Sequence, residues 1–350
     1  MSLTPGHLGR TQRGGIVARL LITLFVIAAI GAGLAGYAGF EAKKRMSAAG
    51  PLAAPQLLWV QRGDTVSDIA RRLSEEGAIS AGDPKLDVAL FKLAARLEVL
   101  APHLKAGEYE IPAEASILEI VALLKEGKAL LRFVTIPEGL TTAMIIKRIE
   151  AVELLEGKVT LLIKEGDLLP ETYSYQRGET RDSLLLRMQK AHNEVLEELW
   201  VGRQADLPVK TPQEAVILAS IVEKETGIAE ERPRVAAVFV NRLRRGMRLQ
   251  SDPTIIYGLT GGEPLGRGIR RSELRKETPY NTYVIRGLPP TPIANPGRDA
   301  LAAVLNPLET KDLYFVADGT GGHVFAKSLA EHNRNVAQWR KIERTRNATN

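Results

Sequence analysis

An uncharged apolar segment near the N-terminus constrains this chain more than any other feature. No charged residue occurs from Leu20 to Phe40, and about 20 apolar residues suffice to cross the hydrocarbon core of a bilayer as a helix. Basic residues flank the segment in similar number on both sides, so the positive-inside rule gives little orientation. A single N-terminal span before a large remainder is typical of a signal anchor. Residues 1–45 are therefore predicted to form a short cytoplasmic tail and a transmembrane helix.

Two other interpretations of this segment stay open. Small residues such as Ala32, Gly33 and Ala35 are also compatible with the processing region of a cleaved signal peptide. A buried core helix is the third interpretation, which the length and the N-terminal position of the segment disfavour.

The composition allows a folded protein and removes several chemistries. Hydrophobic residues make up 45% of the chain and charged residues 25%, which supports a sizeable core. Cysteine is absent, so the chain has no disulfide, thiol nucleophile or cysteine-ligated metal. The formal charge of +6 suits acidic partners such as anionic lipid, nucleic acid or an anionic polymer, although a solvated basic surface is the commoner explanation.

A linker and a small α+β subdomain are predicted after the apolar segment. Residues 46–56 are small, Pro-containing and largely uncharged, as in a linker. Residues 57–130 then alternate short strands with helices, the first of which Thr65 is placed to cap. The string VQRGDTVSDIARRL resembles the start of a LysM module, a glycan-binding fold, and a generic strand–turn–helix is the competing interpretation.

Residues 131–345 are predicted to form a larger domain of mixed α/β character. A strand over 131–136 leads into a turn and a helix, and a long helix covers 181–200. The segment 166–175 is predicted to be turn-like, because Pro170 excludes a regular helix there. The fold class is therefore α+β, with an N-terminal transmembrane helix, a small LysM-like subdomain and this larger domain.

The chemistry of the chain is predicted to depend on a helix that starts at Thr211. Thr211 can cap this helix, Pro212 suits its first position and Glu214 completes a capping box. At about 100° per residue, Leu218 and Val222 form an apolar stripe that includes Glu225. Glu223 points nearly the opposite way.

A carboxyl group on an apolar stripe has two explanations. Burial raises the pKa of a carboxylic acid, which suits a general acid that works near neutral pH. The alternative is a structural ion pair with an arginine of the next helix, which starts at Glu231-Arg232-Pro233. Loops after this helix are rich in hydroxyl, amide and aromatic groups, which suit a polyhydroxylated ligand.

Several unusual strings in order carry a resemblance to a known family. They are ASIVEKETG, RVAAVFVNRLRRGMRLQSDPTIIYG, TPYNTY, GLPPTPIANPG and YFVADGTGGHVF. Residues 168–339 closely resemble the MltG/YceG-like family of endolytic murein transglycosylases. The resemblance implies that Glu225, the second acid of EKET, is catalytic, with Glu223 as the fallback. It also implies a glycan-binding role for eight motif residues: Gln250, Asp252, Thr254, Tyr257, Tyr280, Asn281, Thr282 and Tyr283.

The same resemblance implies a function. The expected reaction cuts the bond between N-acetylmuramic acid and N-acetylglucosamine inside nascent glycan strands, leaves 1,6-anhydro ends and terminates strand elongation. The implied location is the cell inner membrane, as a single-pass protein whose catalytic part faces the periplasm. Expected partners are peptidoglycan strands, the membrane and cell-wall synthases. We expect no nucleic acid partner, cofactor or metal.

Other function classes have weaker support in the residues. None of the five histidines forms an HExxH-type pair, and no G-x-S-x-G elbow occurs. The serious rival is a glycan-binding scaffold that positions cell-wall synthases without chemistry. Glu225 distinguishes the two, because a buried acid costs stability and serves no purpose in a pure binder.

Overall fold

A computed structural model describes residues 14–80 and 82–349 of the chain. Within these residues the chain divides into two compact units, one reaching Leu130 and the other beginning at Leu131. The described residues form helices and three two-stranded antiparallel sheets, which confirms the α+β class. The functional division into segments 1–45, 46–56, 57–130 and 131–345 stays a prediction, and the expected cytoplasmic tail lies mostly outside the described residues.

The apolar segment lies in α1, Gly14–Met46. Its side chains are exposed along the whole apolar run. Of the helices in the described ranges, this is the one long and apolar enough to cross a membrane, over Ala18–Met46. Its final residue, Met46, is buried in the core of the first unit, and it is also the first residue of the predicted linker.

The rest of the first unit is a β-α-α-β arrangement with a further helix. Thr65 caps its first helix, as predicted, and forms a capping box with Asp68. The two strands pair antiparallel with Leu58 opposite Tyr109, and both side chains are buried in the core. The elements in chain order are β1, Gln56–Val60; α2, Val66–Glu75; α3, Pro84–Leu97; β2, Gly107–Ile111; and α4, Ile117–Glu126.

The second unit begins with a two-stranded sheet flanked by helices. Its elements are β3, Arg132–Thr135; α5, Thr142–Glu150; β4, Thr172–Tyr175; and α6, Arg181–Val201. The strand β4 corrects the prediction of a turn-like segment over 166–175. After Pro170 the sequence TYSY alternates aromatic and polar residues, so Tyr173 and Tyr175 can pack on the core while the backbone pairs with β3.

The central helix of the second unit is α7, Pro212–Glu225. Thr211 caps it as predicted, but the capping box is only half formed, because the Glu214 carboxylate accepts from the N–H of Lys210. Every side chain from Ala215 to Val222 is buried, so the predicted single apolar stripe is wrong: both faces of α7 are covered. The reason is its position between two helices that flank it, α8 and α11.

The remaining elements complete the second unit. They are α8, Arg232–Arg244; α9, Asp252–Thr260; α10, Arg271–Arg275; α11, Arg298–Leu305; β5, Tyr314–Ala317; β6, His323–Ala326; and α12, Leu329–Thr349. The helix α7 ends at Glu225, because Thr226 turns the backbone into an extended conformation. Glu225 thus stands at the last turn of a helix, next to the loops that precede α8 and α9.

Candidate active site

Glu225 lies at the carboxyl end of α7 and is partly buried. Its Oε1 accepts a 2.5 Å hydrogen bond from the Oγ of Ser251. Within the described part of the chain, Glu225 forms no ion pair. This carboxyl group is therefore held by a neutral donor and not by an arginine, which is the opposite of the structural alternative weighed from the sequence.

The surroundings of Glu225 favour its protonated form. Burial raises the pKa of Glu225 to about 7, and the negative charge of Asp252 adds to this rise. The hydrogen bond from Ser251 and the positive charges of Arg242 and His323 lower the pKa, but they offset only part of the effect. A carboxyl group with a pKa near neutrality can both donate and accept a proton, as a general acid–base catalyst requires.

Ser251 is held in place by two buried threonines. Its backbone N–H donates to the Oγ1 of Thr282 at 2.9 Å, and its carbonyl accepts from the Oγ1 of Thr254 at 2.7 Å. The two threonine hydroxyls also contact each other at 2.9 Å. Thr254 and Thr282, predicted to contact substrate, therefore lie behind Ser251 with no exposed surface of consequence. Their substrate-binding role stays a prediction, while their visible contact is to Ser251.

Asp252 and Tyr283 lie beside Ser251. The Tyr283 hydroxyl donates to Oδ1 of Asp252 at 2.7 Å. Burial raises the pKa of Tyr283, and the charges of Asp252 and Glu225 raise it further. Asp252 is exposed. These two predicted site residues are thus brought together with Glu225, in a position where a ligand can reach them.

Gln250 is exposed and has an unusual backbone conformation. Its φ of 51° lies in the left-handed region, which side chains other than glycine rarely adopt. This backbone conformation is stabilised by a hydrogen bond from the N–H of Gln250 to the Thr282 carbonyl at 3.1 Å. Strained residues of this kind cluster at functional sites, and the exposed amide is free to meet a ligand next to Asp252.

Asn281 is buried and its amide is fully engaged within the protein. Its Nδ2 donates to the carbonyls of Glu273, Leu274 and Lys276, and its Oδ1 accepts from the N–H of Tyr283. Asn281 thereby fastens α10 to the loop that carries Tyr283. Its predicted contact with substrate stays a prediction.

Tyr257 and Tyr280 form a pair of half-buried rings. Their centroids are 5.0 Å apart with an interplanar angle of 58°. The Tyr257 hydroxyl donates to Oε2 of Glu165 at 3.2 Å, and the Tyr280 hydroxyl contacts Oγ1 of Thr291 at 2.8 Å. We call this pair the tyrosine ledge.

Glu223, the fallback for catalysis, belongs to a separate charged cluster. Arg232 contacts Oε1 of Glu223 at 3.2 Å and also pairs with Glu138 and Asp299. The N–H of Gly297 donates to Oε2 of Glu223 at 2.9 Å. The structural alternative thus applies to Glu223: an arginine of the next helix pairs with it.

Sequence reasoning missed Ser251, Arg242 and His323 as neighbours of Glu225. His323 begins β6, and its Nδ1 lies 2.7 Å from Oε2 of Glu231. Arg242 is buried and donates to the carbonyls of Leu249 and Leu313. Ser251 occupies the N-cap position of α9, so in the sequence it indicates the start of a helix and gives no sign of a functional site. No group of three or more metal-ligating side chains occurs among the residues that the structure describes.

The sequence profile of the YceG-like family matches residues 58–338. A protein named endolytic murein transglycosylase from Streptococcus pneumoniae is 30% identical over 328 residues, covering 80% of this chain and 57% of that protein. One of the same name from Bacillus subtilis is 36% identical over 171 residues, 49% of this chain and 46% of that protein. The chain thus spans about half the length of these relatives.

A solved structure is also similar. The yceG-like protein of Listeria monocytogenes is 28% identical, with a TM-score of 0.48, over 80% of this chain and 98% of that one. The family profile matches well over half of the chain and includes all the residues around Glu225. The chain belongs to the YceG-like family.

Proposed function

We propose that this protein is an endolytic murein transglycosylase that cuts inside nascent peptidoglycan glycan strands and so terminates their elongation. The observation that carries the proposal is Glu225, a partly buried carboxyl group with a raised pKa and a single neutral partner, Ser251. The names of the related proteins from Streptococcus pneumoniae and Bacillus subtilis support the same reaction.

One carboxyl group suffices for this chemistry. Protonated Glu225 gives its proton to the glycosidic oxygen as the bond to C1 of N-acetylmuramic acid breaks, and C1 gains oxocarbenium character. The carboxylate then takes the proton of the 6-hydroxyl of the same sugar, whose oxygen bonds to C1. Atoms and protons balance without water, and the product is a 1,6-anhydro end. Ordinary glycosidases need two carboxyl groups for hydrolysis.

The neighbours of Glu225 suit the two halves of this cycle. Because burial raises the pKa of Glu225 to about 7, the protonated form is well populated at neutral pH. After transfer, the Ser251 hydroxyl and the positive charge of Arg242 stabilise the carboxylate. Gln250, Asp252, Tyr283 and the tyrosine ledge are proposed to bind the strand, since aromatic faces cover sugar rings and polar side chains bond their hydroxyls. Thr254, Asn281 and Thr282 are proposed to support this surface from behind.

The anchor and the first unit extend the proposal. We place α1 in the cell inner membrane and the remainder in the periplasm, where nascent strands are made. The β-α-α-β order of the first unit supports a LysM-like, glycan-binding role for it. Cell-wall synthases are proposed partners, because they supply the strands that this reaction would terminate.

Mass analysis of digested sacculi tests the reaction. We expect the purified full-length protein in detergent to release fragments with 1,6-anhydro-muramic ends, cut at internal bonds. Reducing ends in their place would make the protein a hydrolase, and the single-carboxylate mechanism would be wrong. Intact strands after incubation would favour the glycan-binding scaffold, which the raised pKa of Glu225 otherwise disfavours.

A further inference from the structure

A second carboxyl group of this unit, Glu165, has no part in the reaction above. It lies between β3 and β4 in sequence and is half-buried, yet it accepts four hydrogen bonds from three different segments. Its Oε1 accepts from the N–H of Thr142 at 2.8 Å, the hydroxyl of Thr142 at 3.1 Å and Nδ2 of Asn295 at 3.1 Å. Its Oε2 accepts from the Tyr257 hydroxyl at 3.2 Å.

We propose that Glu165 is a positioning residue that fixes the tyrosine ledge as a saccharide subsite of the glycan cleft. This inference rests on the proposed function. Glu165 joins the first turn of α5, the loop before α11 and the middle of α9 at a single side chain. Loss of its carboxylate would remove the acceptor of the Tyr257 hydroxyl and leave the ring with Thr291 as its remaining polar contact.

Other contacts also hold the two rings of the ledge and the helix α9 that carries Tyr257. The Tyr280 ring packs on Tyr257 at 5.0 Å and its hydroxyl contacts Thr291. A Cβ atom at Gly262, just after α9, would lie 2.3 Å from Cγ2 of Thr141, so this end of α9 already packs closely on the start of α5. Glu165 and Thr291 therefore hold the hydroxyl end of the ledge, and Glu165 is the charged acceptor of the two.

Glu165 is too far from Glu225 to touch the reacting atoms. A Cβ atom at the neighbouring Gly166 would lie 3.0 Å from Cγ1 of Val216. Val216 and Glu225 are about 13 Å apart along α7, at a rise of 1.5 Å per residue. Glu165 therefore acts through the ledge and not on the reacting atoms, so we expect it to affect binding and not chemistry.

A double-mutant cycle in kinetics tests this role. We expect Tyr257→Phe to raise KM about fivefold, the value of one net hydrogen bond, with kcat within about twofold. We expect Glu165→Ala to raise KM more, because three segments lose their common acceptor. The double variant should raise KM by less than the two single effects combined, because the Glu165–Tyr257 bond can be lost only once. Glu165→Gln should recover most of the affinity, because its amide can accept from Thr142 and donate to Tyr257.

Independent effects of the two substitutions on KM would overturn the proposal, as would a fall in kcat with KM unchanged. Thermal unfolding of each variant checks folding, and Tyr257→Phe keeps the test valid if Glu165→Ala does not fold. Binding of muropeptide chains to the same substitutions in a Glu225→Gln background gives a second reading, without cleavage. If wild type does not cleave, the proposed function fails, while these dissociation constants still test Glu165.

Discussion

Glu223 and Glu225 leave the same end of α7 two residues apart, yet their surroundings differ. Glu223 meets Arg232 and the N–H of Gly297, and two more carboxylates share that arginine. Glu225 meets a hydroxyl, that of Ser251. Burial raises the pKa of both groups. Burial alone therefore does not distinguish a structural carboxylate from a proton donor. The partner distinguishes them, which is a cation at Glu223 and a hydroxyl at Glu225.

Paired substitution of the two glutamates is the strongest way to break this comparison. We expect Glu225→Gln to lower kcat by about 10³-fold, because the amide cannot donate and accept the proton in turn. Glu223→Gln should retain most of the activity, since its carboxylate contacts Arg232 and not the cleft. Product release from labelled sacculi measures both. Equal losses in the two variants would mean that Glu223 takes part in the chemistry.

Removal of Arg232 is expected to have the next largest effect, on stability. Arg232→Met leaves Glu223 buried without its cation, which costs roughly 3 kcal/mol of unfolding free energy. Arg298→Met is the matched control, because its ion pair with Glu198 is exposed and should be dispensable. Denaturant unfolding of the full chain in detergent compares them. Equal stability of the two variants would show that Arg232 does not stabilise the fold through Glu223.

The pH dependence of stability sharpens the comparison further. The folded-state pKa of Glu225, about 7, lies above its ordinary value of 4.5. Protonated Glu225 therefore adds to the free energy of unfolding. This contribution is complete below pH 4.5 and is lost as pH rises through 7, and it amounts to at most about 3 kcal/mol. Glu225→Gln cannot ionise, so we expect it to gain stability relative to wild type between pH 4.5 and pH 8. A constant difference across this range would show that Glu225 is not protonated in the fold.

The sequence predicts what short-range rules determine. The cap at Thr211 follows from residues next to each other, and the raised pKa of Glu225 follows from the apolar helix that carries it. The helix is covered on both faces, however, so periodicity could not distinguish Glu225 from Glu223 by burial. Arg232 pairs with Glu223, a contact that the residues leave open, and the choice of Glu225 as the catalytic residue stays a prediction.

Long-range contacts explain what the sequence does not predict. Ser251 reaches Glu225 only because Thr282, 31 residues further along the chain, holds its backbone. Asn281 looks like a ligand-binding amide in TPYNTY, yet its donors are used by three carbonyls of the segment around α10. No periodicity or cap rule contains these pairings, so the roles of loop residues depend on the tertiary structure.

The smallest expected effect follows from the Ser251 hydroxyl, which donates to Glu225, whereas Glu223 pairs with Arg232. The Ser251 hydroxyl lowers the pKa of Glu225, so Ser251→Ala should raise that pKa and move the alkaline limb of the kcat/KM profile to higher pH. The loss of carboxylate stabilisation after proton transfer should also lower kcat about tenfold. Ser220→Ala is the matched control, because this buried serine of α7 bonds only to backbone groups of Ile217 and Ile293. An alkaline limb that moves equally in both variants would assign the change to packing of α7, and the Ser251 bond would then not distinguish the two carboxyl groups.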